Sequence, residues 1–250
     1  MKLFEAIVEA NQRAVKGDAR AGVHVAEFAA SLPMVALTCI DVRLNKLMPG
    51  VLGVAEEQFI WLRNAGNIIT SPLSSTTRSL ALACAVKGGK EIAIIGHSDC
   101  KVCHTNVGEM VDRFRALGVE RARLPDNLVE YFGLFASERQ NVIKAVDFVR
   151  SSPLIGAKVP VHGLLVDVAT GKLEWVVNGY HALGTPATAQ PVARLNVDGP
   201  QLTKPVQVAA EAGEEPAPKP RIVPPPPPAP APVPPVLPKR RAQTRAPWER

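Results

Sequence analysis

Four short runs of almost unbroken apolar residues punctuate this chain, and they leave few architectures open. The runs are MVALT at 34–38, QFIWL at 58–62, EIAII at 91–95 and VHGLLVDV at 161–168. A strand with no polar alternation is buried on both faces, as happens in a sheet with helices packed on each side. Helical spacing fills the intervals. Leu3, Phe4, Ile7, Val8 and Ala14 form one stripe in 2–16, and residues 74–87 open on Ser/Thr and stop at Gly88-Gly89. Residues 126–150 read as one or two helices broken near Gly133. The turn Ala169-Thr170-Gly171-Lys172 leads into LEWVV at 173–177 as a hairpin partner. The pattern predicts an α/β fold: a mainly parallel central sheet flanked by helices, with a late antiparallel hairpin at its edge.

Charge and proline content divide the chain. Residues 204–250 hold 15 of the 24 prolines, with 8 Lys/Arg against 4 Asp/Glu. The remainder carries 21 Lys/Arg against 19 Asp/Glu, so it is close to neutral and offers no broad basic face for nucleic acid. PPPPPAPAPVPPVLPKRR excludes helix and central strand and suits an extended polyproline-II segment with a basic end. The expected organisation is a folded domain at 1–185, an irregular connector at 186–203 and a disordered tail at 204–250. The tail is either a solvated appendage or a docking segment for a protein partner. No run approaches the roughly 18–20 apolar residues of a membrane span. Glu5 and Glu9 interrupt the N-terminal apolar stripe, which argues against a secretory leader. A soluble cytoplasmic protein is expected.

Four cysteines, Cys39, Cys84, Cys100 and Cys103, are too few for a disulfide scaffold in 250 residues. Three chemistry-bearing residues fall at strand ends instead. Cys39 follows the first run; His97 and Cys100 follow the third, in IGHSDC. Functional groups of open α/β sheets gather at the carboxyl ends of strands, so these distant residues can share one crevice. Two thiolates and one imidazole suit Zn2+, and three protein ligands leave a fourth position for water. Asp41 and Arg43, two residues apart, can form a bidentate pair in which the guanidinium keeps the carboxylate ionised. Each element has an ordinary counterpart: a small core cysteine, or a helix-start Asp with a surface ion pair.

Together the motifs resemble the signature of the β-carbonic anhydrases: C-x-D-x-R at 39–43, RNAGN at 63–67 and H-x-x-C at 97–100, in that order. VHGLLVDVATGKLEWV also resembles that family's last sheet element. The resemblance covers residues 2 to 180. It implies that Cys39, His97 and Cys100 hold zinc and that Asp41 and Arg43 form a catalytic dyad. The implied reaction is reversible hydration of CO2 to bicarbonate and a proton, with a zinc-activated water oriented by the dyad. A homodimer or higher even oligomer is also implied, with the N-terminal helix reaching across to the partner. One departure stands out: the family usually has Gly after the second zinc cysteine, and here it is Lys101.

Rival readings remain at this stage. The same scaffold could hydrolyse carbonyl sulfide or carbon disulfide. A catalytically weak adaptor carrying the tail to a partner would account for Lys101. Cys100-Lys101-Val102-Cys103-His104 matches the C-x-x-C-H haem pattern, but that pattern goes with export. Cys103 is an alternative zinc ligand to Cys100. Cys84 reads as core, His162 and His181 as structural, and His24 carries no signal. A nucleotide-binding domain would need a glycine-rich loop after an early strand, and Gly88-Gly89 precedes one instead.

Overall fold

The computed structural model describes residues 1–183. The expected connector at 186–203 and tail at 204–250 lie outside those residues. A five-stranded sheet runs β1 (Met34–Cys39), β2 (Phe59–Asn64), β3 (Ile92–His97), β4 (Val161–Val166) and β5 (Leu173–Val177). Its spatial order is β2-β1-β3-β4-β5. The β1–β2, β1–β3 and β3–β4 pairs are parallel, and β4–β5 is the antiparallel hairpin at the edge. This is the α/β architecture that the apolar runs predict. The interval helices are α1 (Leu3–Val15), α2 (Arg43–Leu52), α3 (Ser75–Ala85), α4 (Val107–Ala116), α5 (Leu128–Phe132) and α6 (Glu138–Arg150). Among the described residues no helix is long and apolar enough to cross a membrane.

The unbroken apolar strands are explained by two cores, one on each face. Met34, Ala36, Ala93, Ile95 and Leu164 pack with Leu3, Phe4 and Ile7 of α1 and with Leu44, Met48 and Leu52 of α2. Their neighbours in the strands, Val35, Leu37, Ile92 and Ile94, face the other way against Leu80 of α3 and Val146 and Val149 of α6. In β1 and β3 every residue is buried, so the period-two alternation is hidden, while the edge strands β2 and β5 are only partly covered. Ser74 caps α3 by accepting from the Thr77 amide, and Gly133 closes α5 with a left-handed φ of 66°.

Two helices show what the sequence left unstated. Helix α2, for which the sequence offers no expectation, carries Pro49-Gly50 inside it. Leu44, Met48, Val51 and Leu52 nevertheless present one buried stripe, and their burial outweighs the hydrogen bond that Pro49 cannot donate. The apolar stripe of α1 is buried on its own sheet, with Leu3, Phe4 and Ile7 fully inaccessible. Asn11 fastens it there, donating to the carbonyls of Val51 and Gly171 and accepting from the Leu173 amide at 2.7 Å.

Candidate metal centre

Cys39 and His97 are the last residues of the adjacent parallel strands β1 and β3, so they emerge side by side at the carboxyl end of the sheet. The turn after β3 returns Cys100 to the same point. The two sulfurs and an imidazole nitrogen lie within 4.8 Å of one another, all three residues buried. Cys103 is outside this group, so it is Cys100 that the fold assembles with the other two. Cys84 is half-buried on α3, facing the second core.

The surroundings fix these side chains. The Ser98 carbonyl lies 2.9 Å from His97 Nδ1 and can only accept, so Nδ1 carries the proton. That leaves His97 Nε2 as a bare acceptor, and it is buried without any hydrogen-bond partner. A buried acceptor with nothing to accept from is costly unless a cation takes the lone pair. On the sulfur side, the Gly66 amide donates to Cys39 Sγ at 3.2 Å. The Cys100 thiol and the backbone amides of Asp41 and Gly66 draw the Cys39 thiol well below its usual range, against the opposing effect of burial. Cys100 is driven up, because one proton is shared between two close sulfurs and Cys39 releases it first. A site that already favours one thiolate, offers a second sulfur and aims an unprotonated nitrogen fits a borderline-soft divalent cation.

RNAGN supplies the wall beside the sulfur. Gly66 has a φ of 66°, and a Cβ there would stand 2.8 Å from the Phe135 ring, so this amide can approach Cys39 only as glycine. Asn141 of α6 donates to the Gly66 carbonyl at 2.8 Å and holds the turn. Asn64 ties the same turn to the start of α3 through the Ile68 carbonyl and Thr76 Oγ1.

The dyad is formed. Arg43 Nη2 meets Asp41 Oδ2 at 2.8 Å, and Arg43 Nε lies 3.1 and 3.2 Å from the two carboxylate oxygens. Asp41 Oδ1 also accepts the Arg43 amide at 2.9 Å, at the start of α2. These bonds, with the guanidinium first, lower the Asp41 pKa to about 2. The helix-start contact and the bidentate ion pair thus share one carboxylate.

Sequence reasoning missed two groups. Glu138, first residue of α6, accepts from the Cys100 amide at 3.3 Å. Asp99 takes the free side of Arg43, with Nη1 to its carboxylate at 2.7 Å and Nη2 to its carbonyl at 2.8 Å. The signal for Asp99 was its position between two candidate ligands; Glu138 had none beyond an acidic residue at a helix start. Lys101 is exposed in the turn, and His104 is exposed 3.9 Å from Glu138.

A family model described as carbonic anhydrase matches residues 34–173, more than half of the chain and every residue of this centre. The chain belongs to the β-class carbonic anhydrase family. Among its relatives, the Bacillus subtilis protein named "Putative carbonic anhydrase YvdA" is 33% identical over 188 residues, covering 72% of this chain and 94% of that one. A carbon disulfide hydrolase of an Acidianus species is 26% identical over 155 residues, 55% of this chain and 74% of its own. Among solved structures, β-carbonic anhydrase isoform I of Trichomonas vaginalis superposes with a TM-score of 0.56 at 28% identity. That match covers 72% of this chain and 100% of the other.

Proposed function

We propose that this family member is a zinc enzyme that hydrates CO2 reversibly to bicarbonate and a proton. The observation that carries the reading is the unpartnered, buried Nε2 of His97, grouped with the sulfurs of Cys39 and Cys100. Those three residues would hold the ion with one position left for solvent. Zinc would supply a water acidified far below its ordinary range, and so a nucleophile at neutral pH.

The chain's own groups do the rest. Asp41, ionised down to about pH 2, accepts a hydrogen bond from the reacting water and sets its direction. Arg43 fixes the carboxylate that does this. The Gly66 amide and the Ser98 carbonyl hold Cys39 and His97 in their ligating orientations.

A second reading has a specific observation behind it: a carbon disulfide hydrolase is 26% identical to this chain over 155 residues. Zinc-loaded full-length protein should be assayed by stopped flow for CO2 hydration, and separately for hydrolysis of carbon disulfide and carbonyl sulfide. Rapid CO2 hydration with negligible sulfide release supports the proposal. The reverse ranking replaces it with the hydrolase reading.

The family resemblance further supports a homodimer or higher even oligomer, which light scattering checks directly. Free thiols suit a reducing compartment, and the cytoplasm is the proposed site of action. The prolines and terminal basic residues of 204–250 suit docking to an aromatic-lined groove on a partner protein. Removing 204–250 should leave turnover unchanged.

A further inference from the structure

The ion pair beside the metal centre has three members rather than two, and the third joins the two ligand-bearing turns. Arg43 begins α2, just after the β1 turn that carries Cys39 and Asp41. Asp99 stands in the β3 turn, between His97 and Cys100. One guanidinium therefore spans both turns. Its Nε and Nη2 face Asp41, while Nη1 and Nη2 face the Asp99 carboxylate and carbonyl. All three guanidinium nitrogens are engaged.

The backbone at this point is arranged for the contact. Asp99 has a φ of 53°, a left-handed conformation uncommon outside glycine and tolerated best by Asn and Asp. With this residue so turned, its carbonyl and its carboxylate both reach the same guanidinium. The turn is braced on both sides. Ser98 donates its amide to the Val166 carbonyl of β4 at 2.8 Å, and the Cys100 amide donates to Glu138. Asp99 is thus a fixed post, not a drifting side chain. Its carboxylate is 69% exposed and Arg43 is 40% exposed, so the pair adds little to stability. Directional constraint is what such a contact can provide.

We propose that Asp99 is a positioning residue: it anchors Arg43 from the β3 turn and so keeps the Asp41 carboxylate aimed at the reacting water. This rests on the CO2-hydrating function proposed above. Without the anchor, the Asp41–Arg43 pair survives as a unit but can swing about the α2 start. A displacement on the order of 1 Å at such a group costs tenfold or more in turnover.

The test uses Asp99→Gly, which accepts the positive φ and keeps the carbonyl contact, and Asp99→Asn, which accepts it and keeps a neutral side chain. Zinc content, kcat and KM for CO2, and hydrogen exchange of the Arg43 Nε–H by side-chain NMR are measured on the full chain. Exchange is read with and without zinc. Expected for Asp99→Gly are wild-type zinc content, kcat down about tenfold with KM within about twofold, and Nε–H exchange severalfold faster. Asp99→Asn should fall between. Unchanged kcat with zinc bound, or unchanged exchange, overturns the proposal. Loss of zinc in Asp99→Gly overturns it in favour of a role in shaping the ligand turn. If wild type fails to hydrate CO2, the function falls separately, and the exchange of Arg43 in the metal-free variants alone decides whether Asp99 anchors it.

Discussion

At the scale of single residues, charge state and direction are separable at Asp41. Arg43 lowers its pKa to about 2, and the unperturbed value is 3.8. Either value leaves the carboxylate ionised at neutral pH. Replacing Arg43 with Gln therefore removes direction without removing charge. Arg43→Gln should lower the plateau of CO2 hydration by about tenfold or more while the midpoint of its pH profile stays put. A midpoint moved by a full unit would show that Arg43 acts on ionisation and not orientation. The residues of this site differed in how far the sequence exposed them. Asp41 and Arg43 stood out only through the C-x-D-x-R signature, whereas Cys39, His97 and Cys100 were legible because Cys and His are rare here and fall at strand ends. Glu138 was not, because an acidic residue opening a helix is common and its contact with Cys100 spans 38 positions.

Individual elements bring those residues together, and β3 does so under tight packing. Gly96 precedes His97, and a Cβ there would lie 2.6 Å from Val142 Cγ2 of α6 and 3.3 Å from Leu165 Cδ1. Gly96→Ala should cost about 1–3 kcal/mol in urea unfolding, the usual range for overpacking. Adding Val142→Ala should restore part of that loss, giving a favourable coupling in a double-mutant cycle. Strict additivity would mean that the strain lies elsewhere. At this scale the strands were readable because burial on both faces writes an unbroken apolar run. Helix α2 was not, since Pro49 and Gly50 carry strong local signals that only tertiary burial of Met48 and Leu52 overrides. The packing of α1 was equally hidden: its stripe declares a helix but not which sheet receives it.

Across the described residues, the candidate metal centre at the carboxyl ends of β1 and β3 has a structural counterpart at the amino ends of β3 and β4. Glu91 precedes β3 and is 5% exposed; His162, second in β4, is inaccessible. The Tyr180 hydroxyl donates to Glu91 Oε2 at 2.6 Å and accepts the Phe4 amide, which locks α1 to the sheet. The Gly179 amide donates to His162 Nδ1, so Nε2 carries the proton towards Glu91 at 3.2 Å. Burial lowers the His162 pKa below 6.5. Burial raises Glu91, but hydrogen bonds from His162, Tyr180 and Ser31 outweigh it and leave it below 4.5. Both groups bind protons more readily in the unfolded chain. Their stabilisation is complete above pH 6.5 and is lost as pH falls, first through His162 and then through Glu91. The urea midpoint should therefore be lower at pH 5 than at pH 7.5. Tyr180→Phe should lower stability by about 1–3 kcal/mol at pH 7.5 and leave zinc content unchanged. Equal midpoints at the two pH values would contradict this assignment.

The metal centre itself is tested most directly by zinc X-ray absorption on the loaded full-length protein. Two sulfurs at about 2.3 Å and two lighter atoms at about 2.0–2.1 Å, one of them imidazole, are predicted. Cys39→Ala should lose one sulfur from that shell or lose the ion. A shell of four sulfurs, or one with no sulfur, would contradict the assignment of Cys39, His97 and Cys100.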